Sequence, residues 1–444
     1  MTEPASAWGA RPSSRYEAIA ARFRPLFERI RTGAIERETT RTLPFAQIAW
    51  LRQAGFGALR VPESHGGAGL TLPEFFALLI ELSAADSNLT QSLRNHFGFA
   101  EEIVGSRHGA HRDRWLRRLA EGAILGGAWT ETVGTKVGSS ATVVRKSGDT
   151  YRLTGKKYYS TGSLYADWID VAAVDEAGED VSVIVAVKAA GVEIIDDWNG
   201  FGQTLTASGT AVFRDSPVEG DDIVRASTRF PYAPSFFQVV HLATLTGIAR
   251  AAATEVALAV RARERTYSHA SAPRSSRDPQ ILQVVGHLHS NAYAAGAVTL
   301  NAAGIVQQAY EARIASLAEA EAFAINVAAE IEIAQAQTAV TSLVLEATSS
   351  LFDSLVLRPR AEPKASTGSG AMRGPSPRIT RGSTRIGLSA TTRSTAPTRR
   401  SNGRSGRSWT TGSRPRLNSG GDSCLPSMCR DADEIGRGGA IGRT

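Results

Sequence analysis

Two short segments hold the side chains whose types are best suited to bind a ligand or to take part in a reaction. Each segment pairs a large aromatic ring with hydroxyl groups. The first has Trp129 beside Thr130, and the second has Tyr159 followed by Ser160 and Thr161. An aromatic wall with short hydrogen-bond donors next to it could bind a flat, conjugated ligand with polar edges. The same residue types are enriched in β strands. From spacing alone, two ordinary strands are therefore the simpler interpretation.

Other sequence motifs give little support for a specific chemistry. His96 lies on a predicted helix, and most single histidines on helices are structural or exposed. The loop His65-Gly-Gly-Ala-Gly69 has no GxSxG nucleophile motif to accompany it, and the chain has no GxGxxG motif. Cys424 and Cys429 have no histidine near them, so we expect no metal site.

The charge of the chain is distributed unevenly, so its positive net charge does not by itself indicate nucleic-acid binding. The 444 residues carry a formal net charge of +7. Residues 354–444 hold 17 basic and 5 acidic side chains, so the residues before them have a net charge of −5. An acidic body argues against nucleic-acid binding, and we expect no nucleic-acid partner.

The composition is typical of a cytoplasmic globular protein. Hydrophobic residues make up 42% of the chain and charged residues 21%. The polar N-terminus has no apolar core of the kind that signal peptides have, and no apolar run approaches the roughly 20 residues that span a membrane. Two cysteines are too few for a secreted disulfide scaffold. We therefore expect a cytoplasmic location and no membrane partner.

The spacing of apolar residues changes twice along the chain. It follows the helical period up to about residue 120 and again over 232–351, where long helices are predicted near 234–268, 278–312 and 314–351. Between them, four short β-rich runs are separated by Gly and Asp turns, over 151–159, 168–174, 181–187 and 192–195.

These changes predict an α+β fold with an antiparallel β domain between two helical domains. The predicted boundaries are 15–120, 121–228 and 229–353. The periodicity ends after Asp353, and residues 354–444 are predicted to form a disordered basic tail.

Three motifs, in the same order along the chain, carry a family resemblance. Val61-Pro-Glu-Ser-His-Gly-Gly-Ala-Gly69 resembles the N-terminal loop of acyl-CoA dehydrogenases. Ala128-Trp-Thr-Glu131, followed by Gly134-Thr135, is similar to the first flavin segment of that family. Leu153-Thr-Gly-Lys-Lys-Tyr-Tyr-Ser-Thr-Gly162 is similar to its second. The resemblance covers about residues 15–353 and implies the acyl-CoA dehydrogenase fold.

Within this superfamily, three further motifs resemble those of the reductase-dependent flavin monooxygenases. This branch includes dibenzothiophene monooxygenases and sulfur-acquisition oxidoreductases. Tyr159-Ser-Thr-Gly162, Asp196-Asp-Trp-Asn-Gly-Phe-Gly-Gln203 and Asp278-Pro279 carry the resemblance. It implies FMN or FAD as cofactor, a transient flavin reductase partner, and a homo-oligomer, usually a tetramer.

The resemblance also assigns roles to individual residues. The residues implied to contact the flavin are Trp129, Thr130, Tyr159, Ser160, Thr161 and Gln283. His96 and Thr161 are implied to be catalytic, because they would stabilise the oxygen adduct of the flavin. Gln283 stands where relatives place an arginine and would bring no charge to a phosphate. Gly127 stands where a relative has an asparagine, so one polar contact to the adduct is expected to be missing.

The favoured function is thus a two-component monooxygenase. It would use reduced flavin and O₂ on a small apolar sulfur, nitrogen or aromatic compound. An acyl-CoA dehydrogenase is the first alternative, although no glutamate over 236–353 stands out as its catalytic base. The second is an inactive homologue with an altered C-terminus. Nucleic-acid binding through the arginine-rich tail is the least favoured.

The basic tail itself is predicted to be a frameshifted translation of the family's own C-terminus. One choice of codons for residues 366–372, read from one base earlier, gives Asp-Arg-Gln-Trp-Arg-Asn-Ala, which resembles a closing signature of these monooxygenases. The same shift turns residues 389–396 into a second family motif, Gly-Asp-Tyr-Ala-Leu-Asn-Gly. A natural basic disordered tail is the alternative.

Sequencing the gene around codon 353 tests the frameshift. Restoring one base should recover both motifs and give a protein with higher stability and flavin affinity. Codons incompatible with the two motifs would rule out the frameshift, and a repaired protein that behaves like this one would remove its functional importance.

Overall fold

The N-terminal third of the chain is helical. The computed structural model describes residues 8–9, 12–107, 109–131, 141–264 and 270–354, which belong to one compact unit. The N-terminal helices are α1 (Tyr16–Arg31), α2 (Ala34–Thr40), α3 (Phe45–Gln53), α4 (Leu72–Ala85), α5 (Ser87–Ser92), α6 (Arg94–Val104) and α7 (Gly109–Ala120).

Capping residues divide the apolar stretch that begins at α4. Thr71 and Glu74 form a reciprocal capping box at the start of α4, which satisfies free backbone N–H groups. Asp86 ends α4 in an extended conformation, and its side chain accepts a hydrogen bond from the Asn88 backbone N–H at the start of α5. The apolar period continues across this break, so it does not reveal that there are three helices.

The central region forms an eight-stranded sheet. Its strands are β1 (Leu125–Ala128), β2 (Val143–Ser147), β3 (Thr150–Lys157), β4 (Trp168–Val174), β5 (Asp180–Ala186), β6 (Val192–Ile195), β7 (Thr210–Val218) and β8 (Ile223–Arg225). The order is β6-β7-β3-β2-β4-β5-β8, with β1 paired to β4.

Most strand pairs are antiparallel, but the sheet is mixed. β1 runs parallel to β4, with Leu125 opposite Trp168, and β2 meets β4 in parallel at Val143 and Val174. The predicted antiparallel domain is therefore corrected to a mixed sheet. Parallel neighbours need a long connection, and here the β2–β3 hairpin lies between β1 and β4 in the sequence.

Three long helices follow the sheet. They are α8 (Ala233–Ala262), α9 (Pro279–Ala315) and α10 (Glu319–Ser354), close to the predicted ranges. Asp278 caps α9 by accepting a hydrogen bond from the Gln280 N–H. In length and composition α8 resembles a membrane span, but 56% of its apolar window is buried inside the structure, as expected for a core helix.

The N- and C-terminal helices share one hydrophobic core. Phe75 and Phe76 on α4 pack against Phe236 on α8, with ring centroids 6.1 and 5.4 Å apart. A separate apolar cluster fills one face of the sheet. The helix–strand–helix fold predicted from the sequence is thus confirmed. The domain boundaries stay a prediction, and the predicted disordered tail lies outside the described residues.

Candidate functional site

The two aromatic–hydroxyl segments meet at neighbouring strand ends. Tyr158 pairs with Thr130 as an antiparallel bridge, and its backbone N–H donates a hydrogen bond to the Thr130 carbonyl at 2.8 Å. The Gly127 N–H points to the Thr161 carbonyl at 3.4 Å. Residues that are about 30 positions apart in the sequence therefore form one contiguous site.

The turn after β3 has an unusual backbone. Tyr159 has a φ of 57°, which is uncommon for a residue with a side chain. Gly162 has a φ of 77°, and a Cβ there would lie 2.1 Å from the Ser92 carbonyl oxygen on α5. Only glycine fits between the turn and α5.

Ser160 is committed to the protein's own backbone. It is fully buried, and its hydroxyl and backbone N–H donate to the Gly209 carbonyl at 2.8 and 2.9 Å. The turn is thereby tied to the segment before β7. A cofactor-binding role for the Ser160 side chain does not fit this geometry, because the hydroxyl is inside the protein and already donates its proton.

Thr161 belongs to a chain of hydroxyl groups with a defined direction. Its Oγ1 lies 2.9 Å from Ser208 Oγ, which lies 2.8 Å from Thr206 Oγ1. Thr206 donates to the Gln203 carbonyl. A carbonyl only accepts, so Ser208 donates to Thr206, and the Thr161 proton is directed to Ser208 or, at 3.4 Å, to the Tyr159 carbonyl. Thr161 therefore presents its oxygen lone pairs, rather than its proton, to an incoming ligand.

The two aromatic rings at the site are exposed, and each has its own neighbour. Trp129 is 42% exposed, and the Arg229 guanidinium carbon lies 3.7 Å from its ring centroid. Tyr159 is 52% exposed and packs edge-on against Trp198. Since Arg229 covers one face of Trp129, only the remaining surface of that ring is open to a ligand.

His96 links the helical region to the sheet through the backbone. It is fully buried, and its Nε2 lies 2.9 Å from the Gly57 carbonyl. Its Nδ1 accepts from the Leu125 N–H at 3.3 Å. The carbonyl requires a proton on Nε2 and the N–H requires a lone pair on Nδ1, so the ring is neutral. Burial lowers the pKa of His96 to about 4.

The predicted catalytic role of His96 has no support in this geometry. Both ring nitrogens are used by the backbone, and no part of the side chain is exposed. A helical position in the sequence gives no information on whether a ring faces a ligand or the interior. The histidine has the contacts of a positioning residue at the base of the site.

Asn95 is a neighbour of the site that the sequence analysis missed. Its amide donates to the Thr161 carbonyl at 3.3 Å. A Cβ on Gly127 would lie 2.5 Å from this amide, so the space of the missing side chain is filled by Asn95. An amide from α6 therefore lies where a side chain on residue 127 would begin. The contact depends on the packing of α6 against β1, which the sequence does not reveal.

Glu131 anchors the strand that follows the first aromatic segment. Its carboxylate accepts from the backbone N–H groups of Ala141 and Thr142 at 2.7 and 3.1 Å. It also pairs with Lys157 at 2.6 Å. Burial lowers the pKa of Lys157, and Glu131 opposes this shift. The connection that contains Gly134-Thr135 lies outside the described residues, but both of its ends are joined by this carboxylate.

Gln283 is not brought to this site. It lies exposed in the first turn of α9, which packs against α4, α8 and α10. Within the part of the chain that the structure describes, no contact joins Gln283 to the aromatic segments. Its predicted cofactor contact stays a prediction.

Comparison with known proteins identifies the fold. Residues 14–123 match the N-terminal domain model of acyl-CoA dehydrogenases. The FMN-bound structure of TdsC from Paenibacillus sp. A11-2 superimposes with a TM-score of 0.70 at 24% identity, over 78% of this chain and 89% of that one. The chain has the acyl-CoA dehydrogenase fold. The family resemblance drawn from the sequence is thus confirmed.

Curated relatives of the chain include flavin monooxygenases. The chain is 28% identical over 261 residues to the probable FMNH2-dependent monooxygenase SfnC of Pseudomonas putida, covering 57% of this chain and 65% of SfnC. It is 26% identical over 316 residues to the dibenzothiophene monooxygenase of Rhodococcus qingshengii, covering 65% and 73%. The match with SfnC therefore spans slightly less than two thirds of that protein.

The neutral state of His96 has a measurable effect on stability. A histidine whose pKa falls from 6.5 unfolded to about 4 folded stabilises the protein fully above pH 6.5 and loses this stabilisation as the pH falls towards 4. Between pH 7.5 and 5 the loss is about 2 kcal/mol. The variant His96→Met cannot titrate at this position.

Urea unfolding of the wild type and His96→Met at both pH values measures this effect. The destabilisation caused by His96→Met should shrink by about 2 kcal/mol at pH 5. The partly exposed His65→Met is the control, with a difference that changes by less than about 0.5 kcal/mol. A pH-independent penalty for His96→Met would show that His96 is not held neutral.

Proposed function

We propose that this protein is the oxygenase component of a two-component flavin monooxygenase. In this proposal a separate reductase supplies reduced FMN, and O₂ oxidises a small compound that contains sulfur, nitrogen or an aromatic ring. The observation that carries it is the backbone pairing of two segments at neighbouring strand ends, one with the exposed Trp129 beside Thr130 and the other with the exposed Tyr159 near Thr161. The relation to monooxygenases such as SfnC supports the same chemistry.

The residues present suit a flavin, and FMN is favoured over FAD. The relative SfnC is described as FMNH2-dependent, and TdsC was solved with FMN. Trp129 and Tyr159 would flank the isoalloxazine ring, and Thr130, whose hydroxyl is exposed, would donate to its polar edge. Bound reduced FMN supplies the two electrons with which one oxygen atom of O₂ becomes water while the other enters the substrate.

Thr161 would discriminate the reduced cofactor from the oxidised one. Its proton is directed to Ser208 or to the Tyr159 carbonyl, so its oxygen would accept hydrogen bonds from a ligand. Position N5 of a flavin carries a hydrogen only after reduction. An acceptor at Thr161 would therefore favour the reduced form. Asn95, which fills the space at Gly127, would hold the Thr161 backbone in place and bring an amide to the same region.

The reductase and the cytoplasmic location form part of this proposal. Within it, the chain holds the reduced flavin and excludes water, while a separate enzyme draws electrons from the cellular NAD(P)H pool. A transient encounter is enough, since free reduced flavin can pass between the two proteins.

Acyl-CoA oxidation is the second candidate, and the match of residues 14–123 to acyl-CoA dehydrogenases favours it. That reaction needs a carboxylate base next to the substrate. Anaerobic mixing with acyl-CoA thioesters would bleach the bound flavin of a dehydrogenase. A monooxygenase would leave the flavin oxidised in this mixture and would consume NADH only with a reductase and O₂.

We also propose that the chain forms a homo-oligomer, a tetramer by analogy with the family, through its C-terminal helices. Phe323, Val327 and Ile331 are 69%, 39% and 56% exposed and follow one another at four-residue intervals along α10. Such spacing places them in one apolar stripe. A second copy of the chain that covers this stripe would remove it from water.

Removal of the Thr161 hydroxyl tests the function. With NADH, a reductase and FMN, the variant Thr161→Val should fold normally but release more of its electrons as hydrogen peroxide. The loss of one hydrogen bond, about 1.4 kcal/mol, corresponds to about a tenfold change in the ratio of peroxide to oxygenated product. Peroxide and product measured against NADH consumed give this ratio.

The exposed Thr39→Val on α2 is the control and should leave the ratio unchanged. Unchanged coupling in Thr161→Val would remove Thr161 from the mechanism. Absence of flavin uptake by the wild type, measured by quenching of FMN fluorescence, would contradict the proposed function and support an inactive homologue.

The apolar stripe on α10 is tested by a charge. Ile331→Glu should convert the oligomer into smaller species, since a buried unpaired carboxylate in an interface costs several kcal/mol. Sedimentation velocity measures the masses. Ile35→Glu, at an equally exposed residue of α2, should leave the assembly intact. A monomeric wild type would contradict the proposal.

A further inference from the structure

Arg94, the first residue of α6, has an unusual environment for a largely buried charge. Its Nε is buried and has no hydrogen-bond partner. The only partner of its guanidinium among the described residues is the ring of Phe237, whose centroid lies 4.6 Å from Cζ. Burial lowers the pKa of Arg94 to about 10, so the side chain is still charged at pH 7.

Other shielded arginines of this chain have carboxylate partners. Arg37 pairs with Asp86 at 2.9 Å, and Arg60 pairs with Glu101 at 2.7 Å. Arg229 pairs with Asp170 at 2.9 Å. A charge removed from water without such a partner costs several kcal/mol. None of the carboxylates in the described ranges pairs with Arg94 in this way, so an external anion is the natural counter-charge.

The surroundings of Arg94 are apolar and neutral on the side of α8. Gly98, one turn along α6, lets Phe237 pack closely, since a Cβ there would lie 2.2 Å from the ring. His241 lies one turn along α8 from Phe237. Burial, with a smaller contribution from the charge of Arg94, lowers the pKa of His241 to about 3. His241 is therefore neutral at pH 7, and the local charge is that of Arg94.

The same turn of α6 reaches the proposed flavin site. Asn95 follows Arg94 directly and donates to the Thr161 carbonyl. Leu93, at the N-cap position, has no side-chain hydrogen bond to the first turn of α6. The partial positive charge of this helix end adds to that of the guanidinium. A small molecule that contacts Thr161 from the side of α8 would thus meet a cationic group backed by an aromatic ring.

We propose that Arg94 binds an oxyanion of the oxygenase substrate, a sulfinate, sulfonate or carboxylate group attached to a small apolar body. The planar guanidinium can donate to two oxygens of such a group at once, which gives both affinity and orientation. Phe237 supports the guanidinium from one side and offers apolar surface to the body of the substrate. This inference rests on the proposed function, because it names the substrate class of the same site.

Two isosteric probes test the charge requirement without turnover. Methanesulfonate and dimethyl sulfone have nearly the same shape, but only the first is an anion. Isothermal titration of the full chain, with FMN present and at constant ionic strength, should give saturable binding of methanesulfonate at least about tenfold tighter than that of dimethyl sulfone. Equal binding of the two probes would overturn the proposal.

Variants assign the preference to one residue. Arg94→Gln should reduce methanesulfonate binding to the level of dimethyl sulfone, and Arg94→Lys should retain part of the preference. The exposed Arg145→Gln on β2 removes the same charge elsewhere and should keep it in full. An unchanged preference in Arg94→Gln would overturn the proposal.

Stability without ligand separates binding from a structural role. Because Arg94 is uncompensated, Arg94→Gln should melt no lower than the wild type when no anion is present. Arg94→Met, which keeps the contact with Phe237, is the second variant if Arg94→Gln fails to fold. If both variants melt well below the wild type, Arg94 is structural and the proposal fails.

The flavin phosphate is the competing anion, and the titrations distinguish it. If Arg94 bound that phosphate, methanesulfonate would compete with FMN, and Arg94→Gln would weaken FMN but not riboflavin. Either result would overturn the proposal. Anion binding by the wild type without any oxygenation would instead contradict the proposed function while keeping the Arg94 site.

Discussion

The close approach of α5 and α6 to the sheet is the constraint on which the candidate site depends. Gly127 leaves room for Asn95, and Gly162 leaves room for the Ser92 carbonyl, each at a distance that a Cβ would violate. His96 then joins Gly57 to Leu125 through its two ring nitrogens. Two glycines and one neutral imidazole thereby set the distance between the strand ends and these helices.

This arrangement explains why the polar groups at the site come from different elements. β1 and the turn after β3 provide the exposed aromatic rings, while α6 provides the amide of Asn95 and the guanidinium of Arg94. Because α6 is locked to β1, these groups do not need to be close in the sequence. Rigid support of this kind keeps the groups of a binding site in fixed positions.

The sequence predicted the three long C-terminal helices and four of the eight strands, since their period is local information, but β1, β2, β7 and β8 were not predicted. The strand predicted over 168–174 coincides with β4, and the start predicted for α9 differs by one residue. The break at Asp86 was missed, because capping interrupts the backbone without interrupting the apolar period. The parallel pairing of β1 with β4 was missed as well, since it depends on residues about 40 positions apart.

The site was predicted in part, for a similar reason. The family resemblance pointed to Trp129, Thr130, Tyr159 and Thr161, and the structure brings the two segments that contain them together. It could not tell that Ser160 and His96 turn inwards, because burial is decided by tertiary packing. Asn95 and Arg94 belong to no sequence motif. Asn95 was recognised because it fills the space beside Gly127, and Arg94 because its buried Nε has no partner.

The packing of α4 against α8 has a consequence for how the chain is made. Phe75 packs against Phe97 on the nearby α6, but Phe236, on which it stacks, follows about 160 residues later, so part of the aromatic face of α4 stays uncovered until then. At ribosomal rates of about 5–20 residues per second, this face is exposed for roughly 10–30 s. During that time the nascent chain offers a surface for chaperones and for aggregation. Expression conditions under which this exposure is short compared with the time between collisions of nascent chains should raise the yield of folded protein.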